Sequence, residues 1–311
     1  MSFAFAHLFT VLMVLVAVAY FTLFERKVLA AAQMRKGPNK VGIAGLAQPF
    51  ADAIKLFSKE STRVQASNEG SYWLAPGLGL TVALLLWELV PYSSQALTFK
   101  WGALLFLCGS SLGVYPLILA GWSSNSKYAL LGAMRAIAQT ISYEVCLGLI
   151  LLSVMFLSSS LSFEDVGESL SLSWGMMINP PLFGMWLACL LAETNRSPFD
   201  FAEGESELVS GFNVEYGSVG FSFIFMAEYA NILFMGVVTS AVFMGGGTSV
   251  AMAFKTVLVC YFVVWSRATL PRFRYDLLMY LTWKKFLPLV LSFLLVEVGF
   301  MMLFQGSAMN L

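Results

Sequence analysis

Apolar runs of about 20 residues recur from one end of this chain to the other, and each is long enough to cross a hydrocarbon core of about 30 Å as a helix. Inside a bilayer every backbone N–H and C=O needs a partner within the protein, which makes helices the default for such runs. They fall at Phe3–Phe24, Tyr72–Pro91, Trp101–Trp122, Ala129–Leu157, Trp174–Ala192, Gly217–Met244, Val250–Leu270 and Phe286–Phe304. The chain is read as an all-α polytopic membrane protein of about eight transmembrane helices, a single membrane domain over residues 1–311. Only 12% of its residues are charged, 59% are hydrophobic, and the mean hydropathy is +0.77. A soluble domain carries about 25% charged residues, so the alternative of two soluble domains suggested by length is rejected.

Several details refine that reading. The first run lacks a preceding basic segment and exceeds a signal-peptide core, so no cleavable leader is expected. The fourth run is overlong, which predicts tilt or an extension beyond the lipid. Trp73, Trp101, Trp122 and Trp174 stand at run ends, where an aromatic belt places them. Gly245-Gly246-Gly247 predicts a tight turn between the sixth and seventh spans.

The polar residues exclude several kinds of chemistry. Lys plus Arg (18) equals Asp plus Glu (18), and a net charge of zero argues against nucleic acid as a partner. Cys108, Cys146, Cys189 and Cys260 sit singly in apolar runs and are read as small buried side chains, not metal ligands. His7 is the only histidine, which argues against a paired-histidine haem site, a histidine zinc site and a Ser-His-Asp triad. Gly77-Leu78-Gly79 lacks the third glycine and the preceding strand of a dinucleotide loop. No metal site is expected.

The placement of the charges orients the chain. Of 18 basic residues, 16 fall in or beside the odd-numbered loops, and only Lys100 and Lys255 fall opposite. The positive-inside rule puts the odd loops on the cytoplasmic or equivalent side and both termini on the other. The first loop, residues 25–71, holds the basic turn Met34–Gly42 and then a short amphipathic helix over Gln48–Lys59. There Phe50, Ile54 and Phe57 share one face, while Asp52, Lys55 and Lys59 share another. That helix lies along the membrane or a neighbour, or is simply a solvated surface helix.

Carboxylates are concentrated where a passive membrane protein would not place them. From Glu193 to Glu228 there are seven acids (Glu193, Asp200, Glu203, Glu205, Glu207, Glu215 and Glu228) against Arg196 alone, a formal charge of −6. Such crowding makes titrations coupled and brings proton exchange toward neutral pH; the alternative is a solvated acidic surface. Glu144 and Glu228 lie within spans, where a charge costs at least about 2.5 kcal/mol and calls for a partner or a wet cavity. A neutral, hydrogen-bonded carboxyl that only packs helices is the alternative for both. Glu88 lies near a span end and can snorkel, whereas Glu297 is mid-span and isolated. In the seventh loop, Arg267 to Asp276 interleaves arginines with aromatics, either as a headgroup anchor or as fixed cations holding the acidic loop.

Long stretches of these loops resemble one family. They are Glu25-Arg26-Lys27, Arg35–Gly42, Gln48–Leu56, Ala192-Glu193-Thr194-Asn195-Arg196 through Glu207, Gly211–Tyr216, Ala227-Glu228-Tyr229 and Leu270–Asp276. In order and over nearly the whole chain, they resemble the chain 1 family of NADH:ubiquinone oxidoreductase, the membrane subunits of respiratory complex I beside its peripheral arm. The compact length, bare N-terminus and 16 methionines suggest the mitochondrially encoded type. The resemblance implies a subunit of a proton-translocating NADH:ubiquinone reductase, not active alone, in the mitochondrial inner membrane. Its odd loops (25–71 and the acidic loop 193–216 among them) would then face the matrix, and its termini the intermembrane space.

The resemblance also implies roles. Ubiquinone is the substrate, and FMN and iron–sulfur clusters reside only in partner subunits. Partners are the quinone-site subunits of the peripheral arm, adjacent small membrane subunits and lipid. Glu25, Arg26, Arg35 and Asp52 would line the quinone entrance. Arg196, Asp200, Glu203, Glu205, Glu207, Phe225 and Tyr229 would line or neighbour the cavity. Glu144, Glu193, Glu215 and Glu228 would carry the coupling path, with Arg272 and Arg274 as balancing cations. Glu297 matches no functional position of the family. Two other readings remain open on sequence: the homologous membrane subunit of an energy-converting hydrogenase, and a proton-coupled carrier, for which the internal repeat or paired broken helices are missing.

Overall fold

The computed structural model describes residues 2–61, 64–65, 67–91, 99–171, 173–201, 204 and 211–308. Every regular element among them is helical, and seven helices are long and apolar enough to cross a bilayer. Helix α1 spans Ser2–Ala32, α2 Gln48–Ser58 and α3 Glu69–Leu86. The third span is built from α4 (Gly102–Leu112) and α5 (Val114–Ser123), the fourth from α6 (Lys127–Ser158). Short helices α7 (Phe163–Ser169) and α8 (Gly175–Ile178) precede α9 (Pro180–Glu193). The chain closes with α10 (Ser218–Phe243), α11 (Ser249–Thr269), α12 (Tyr275–Tyr280) and α13 (Leu287–Ala308).

Three spans differ from the sequence expectation, each for a local reason. The fifth is not one helix from Trp174 to Ala192. It breaks at Asn179, because Pro180 and Pro181 follow and both lack an N–H to continue the preceding turn. The remaining 14-residue helix is about 21 Å long, short of the bilayer core. The third span is divided near Gly113, where Pro116 leaves the Leu112 carbonyl without its usual donor. The last span begins at Tyr275 rather than Phe286 and passes through a π-helical turn at Leu281–Phe286. Pro288 follows directly, and the Leu287 N–H reaches back to the Thr282 carbonyl, so Lys284 and Lys285 belong to the helix and not to the loop.

Helix ends follow recognisable chemistry. Ser126 caps α6 by accepting from the Ala129 N–H at 3.2 Å, and Thr248 does the same for α11. The triple glycine turn takes positive φ at all three positions (68°, 43° and 105°), a path closed to residues with a Cβ. Lys255 Nζ clamps it by donating to the carbonyls of Met244 (2.7 Å) and Gly246 (2.8 Å). In a lipid solvent, helices gain little from hiding apolar surface and associate instead through close packing of small residues. Gly132 of α6 shows this: a Cβ there would meet the Gly211 Cα at 2.9 Å. Contrary to the reading of all four cysteines as buried, Cys108 is exposed on α4.

Helix α6 is the central strut. It packs on α5, α9 and α13 and against the 211–213 turn, while α10 packs on α3, α1 and α11. The amphipathic helix α2 lies against α1 and α10, with Phe50, Ile54 and Phe57 facing outward.

Candidate functional site

The charged groups converge where α1, α10, α11 and the turn after α9 meet. Glu25 was expected in the first loop, but α1 continues to Ala32, and Glu25 is buried at 5% exposure on its inner face. One carboxylate oxygen accepts from Arg196 Nη1 at 3.4 Å and from Arg267 Nη1; the other accepts from the Tyr229 hydroxyl at 2.6 Å. The Arg196 guanidinium carbon stands 4.6 Å from the Tyr229 ring centroid, a cation–π contact. Burial disfavours the Arg196 charge, but Glu25, Tyr229 and Glu228 outweigh it and hold its pKa above the ordinary arginine value.

Local sequence explains how Arg196 gets there. Helix α9 ends with Asn195 in the left-handed conformation (φ 48°), which asparagine tolerates. The Arg196 N–H then returns to the Leu191 carbonyl at 3.1 Å, closing the helix in a Schellman-like turn that redirects the chain inward. Gln139 of α6 fixes both sides of this turn, donating to the carbonyls of Ala192 (2.9 Å) and Phe199 (2.8 Å) while fully buried. Arg196 Nη2 is buried and has no hydrogen-bond partner among the described residues.

A cavity of about 90 Å³, mostly apolar but with several polar groups in its wall, adjoins this cluster. Glu193 and Glu228 both line it, with Ser110, Thr140, Asn195 and Asn231. The side-chain oxygens of Asn195 and Asn231 are buried without partners among the described residues. Such a cavity has room and polar partners for several waters. Glu144 on α6 interacts electrostatically with Glu193 and meets the Ser110 hydroxyl. Ionisable groups thus follow one another from Glu25 through Arg196 and Glu228, then Glu193, to Glu144.

The remaining expected residues fall into separate groups. Arg26 pairs with Asp52 at 2.6 Å on the outer side of α1, and Gln48 steadies that carboxylate at 2.9 Å. Arg35 bonds Gln33 at 2.9 Å in the exposed basic turn, away from the cluster. Arg272 reaches Asp200 at 3.1 Å, whereas Arg274 turns to Asp276 at 3.0 Å. The aromatics of the seventh loop knit it to the start of the acidic loop. Phe273 donates its N–H to the Pro198 carbonyl at 3.0 Å and packs its ring 5.5 Å from that of Phe199. Phe225 stands between Phe221 (4.3 Å) and Tyr229 (6.4 Å) along α10, a stripe of rings leading to the cluster.

Glu215 is held through its backbone carbonyl, which accepts from the Tyr72 hydroxyl at 2.7 Å; Tyr72 also stacks on Tyr216 at 4.4 Å. Burial pushes the Tyr216 pKa up, partly offset by Ser123. Glu203, Glu205 and Glu207 lie outside the described residues. Glu88 contacts His7, and Glu297 is not isolated as the sequence suggests but accepts from Asn179 at the break before α9. Gln139 and Tyr72 are site residues that the sequence does not signal, since a buried glutamine or tyrosine carries no sign of its partner. Arg267, one of the seventh-loop cations expected to hold the acidic loop, instead pairs with Glu25 of α1.

Fold and site together define a polytopic helical membrane protein with a line of ionisable groups through its interior. The sequence matches the NADH dehydrogenase family over residues 5–298. It is 54% identical over 293 residues to NADH-ubiquinone oxidoreductase chain 1 of Aedes aegypti, covering 94% of each chain. The Anopheles gambiae chain 1 is 54% identical over 298 residues (96% of this chain, 95% of that one), and the Locusta migratoria chain 1 is 51% identical over the same length and coverage. The chain belongs to the NADH dehydrogenase family, among the chain 1 membrane subunits of NADH-ubiquinone oxidoreductase. These relatives carry the respiratory name, not a hydrogenase one.

Proposed function

We propose that this chain forms the membrane wall of the ubiquinone-binding tunnel in a mitochondrial inner-membrane complex and couples quinone reduction to proton movement. The observation that supports this most is the buried cluster of Glu25, Arg196 and Tyr229 beside a cavity lined by Glu193 and Glu228. Iron–sulfur clusters and FMN, held by partner subunits of the peripheral arm, would supply the electrons. The quinone ring approaches along Phe221, Phe225 and Tyr229, where flat π-faces suit a flat headgroup.

Reduction to the quinol takes up two electrons and two protons. Negative charge developing on the headgroup is met by the buried guanidinium of Arg196, whose Nη2 is an unused donor among the described residues. Drawing Arg196 toward the quinone weakens its hold on Glu25 and Glu228. Those carboxylates then take up or release protons, and the change passes through the cavity to Glu193 and Glu144. Low dielectric makes such pairs interact strongly over short distances. Glu203, Glu205, Glu207 and Glu215 add negative charge to the acidic loop, and Arg272 is the counter-charge to Asp200.

A photoreactive ubiquinone analogue crosslinked in intact membranes tests the site. Labelling is expected on 196–201 and 221–229. Labelling confined to Glu69–Leu89, Gly102–Ser123 and Tyr275–Leu303 would overturn the assignment.

A further inference from the structure

We propose that a groove on the face opposite the basic loops is a phospholipid site, seating the lipid phosphodiester on Lys100 and an acyl chain between α6 and α13. The groove has a volume of about 660 Å³, within the range of about 300–1,000 Å³ common for small-molecule sites. Its composition is graded. Lys100, Ser159 and Ser160 stand at one end, while Leu152, Met155 and Met301 line the apolar remainder.

Three observations favour a phospholipid over other occupants. The first is charge. Among the described residues Lys100 is the one charged residue that lines the groove, and no carboxylate does. Glu164, the nearest acid along the chain from Leu161, opens into a different crevice with Leu89, Phe99 and Gly102. The second is the pair of serines: Ser159 and Ser160 line the groove with Lys100, and hydroxyls beside a cation suit the oxygens of a phosphate. The third is access. Trp101 and Met302 at the rim are 64% and 68% exposed, so the groove opens sideways toward lipid. An indole at this level anchors at the headgroup boundary, and methionine side chains adapt to an irregular chain.

The test uses the intact complex reconstituted in phosphatidylcholine vesicles containing a trace of phosphatidylglycerol with a diazirine near the end of one acyl chain. Labelling of peptides covering Leu152–Phe156 and Val298–Met302 is expected. A matched diacylglycerol probe without phosphate should label these peptides about fivefold less, as should the phosphatidylglycerol probe on Lys100→Glu, with labelling elsewhere on the subunit unchanged. The comparison of probes on the unaltered complex stands even if the variant fails to assemble. Equal labelling by both probes, or crosslinks from these residues to a neighbouring polypeptide in place of lipid, would overturn the proposal.

Discussion

Glu25 and Arg196 are 171 residues apart in sequence, and they form an ion pair whose side chains are 6% and 10% exposed. The pair ties the end of the first span to the turn that opens the acidic loop. Neither charge is tolerable alone at that depth, because desolvation costs each several kcal/mol. The second arginine, Arg267, and the Tyr229 hydroxyl complete the carboxylate's shell. A carboxylate facing two guanidinium groups is held firmly, and the charge balance is upset when either arginine is drawn elsewhere.

Removing the anion should therefore hurt more than removing a hydrogen bond to it. Glu25→Ala leaves Arg196 and Arg267 without their shared counter-charge and is expected to cost about 3–5 kcal/mol. Tyr229→Phe, which deletes one bond to a charged group, is expected to cost about 1.5–3 kcal/mol. Thermal unfolding of the solubilised complex, followed for release of this subunit, measures both. Equal stability of Glu25→Ala and the unaltered complex would refute the pairing.

Packing beside the acidic loop gives a second prediction. A Cβ at Gly132 would come within 2.9–3.0 Å of the backbone of Gly211 and Phe212, which cannot step aside as a flexible side chain can. Gly132→Ala is expected to cost about 1–3 kcal/mol and to raise the quinone KM by displacing the loop. Gly148→Ala is the control, since its Cβ would meet only Leu107 methyls at 3.7 and 3.8 Å. A harmless Gly132→Ala would show that the loop does not rest on α6 there.

Gln139 acts on the site only through backbone carbonyls. Gln139→Leu removes one of two donors from each of the carbonyls of Ala192 and Phe199, which keep the N–H groups of Asn195 (3.2 Å) and Phe201 (3.0 Å). It is expected to cost about 0.5–1.5 kcal/mol per lost bond and to loosen the turn carrying Arg196. Gln139→Glu would keep the shape and lose the donors. Both variants should lower kcat of quinone reduction while NADH oxidation by an artificial acceptor in the peripheral arm stays normal. Loss of both activities together would mean that Gln139 matters for assembly alone.

The spans were legible because long apolar runs have few alternatives in a chain of this composition. Their edges were less so. Lys284 and Lys285 read as loop because they are charged, yet a long side chain can stay in a helix while its ammonium finds a polar or aromatic partner; Lys284 Nζ sits 4.7 Å from the Tyr280 ring. Asn179-Pro180-Pro181 does contain the signal for a break, but the surrounding apolar run masked it. Glu25 stands out by its motif but reads as loop, because no local pattern tells a helix end from a helix that continues past a charged triplet. The acidic stretch was visible as a count of charges. Its division into a group around Arg196, a cavity at Glu193 and Glu228, and a surface pair of Arg272 with Asp200 depends on contacts distant in sequence, 72 residues for Arg272 with Asp200 and 242 for Arg267 with Glu25.

The central claim is that Glu193 stands between quinone chemistry and proton movement, at the wall of the cavity shared with Glu228. Glu193→Gln keeps the volume and removes the charge and the exchangeable acid. In proteoliposomes, the ratio of protons translocated to NADH oxidised should fall, with quinone turnover lowered and the complex still assembled. Normal turnover with an unchanged proton ratio in this variant would contradict the account.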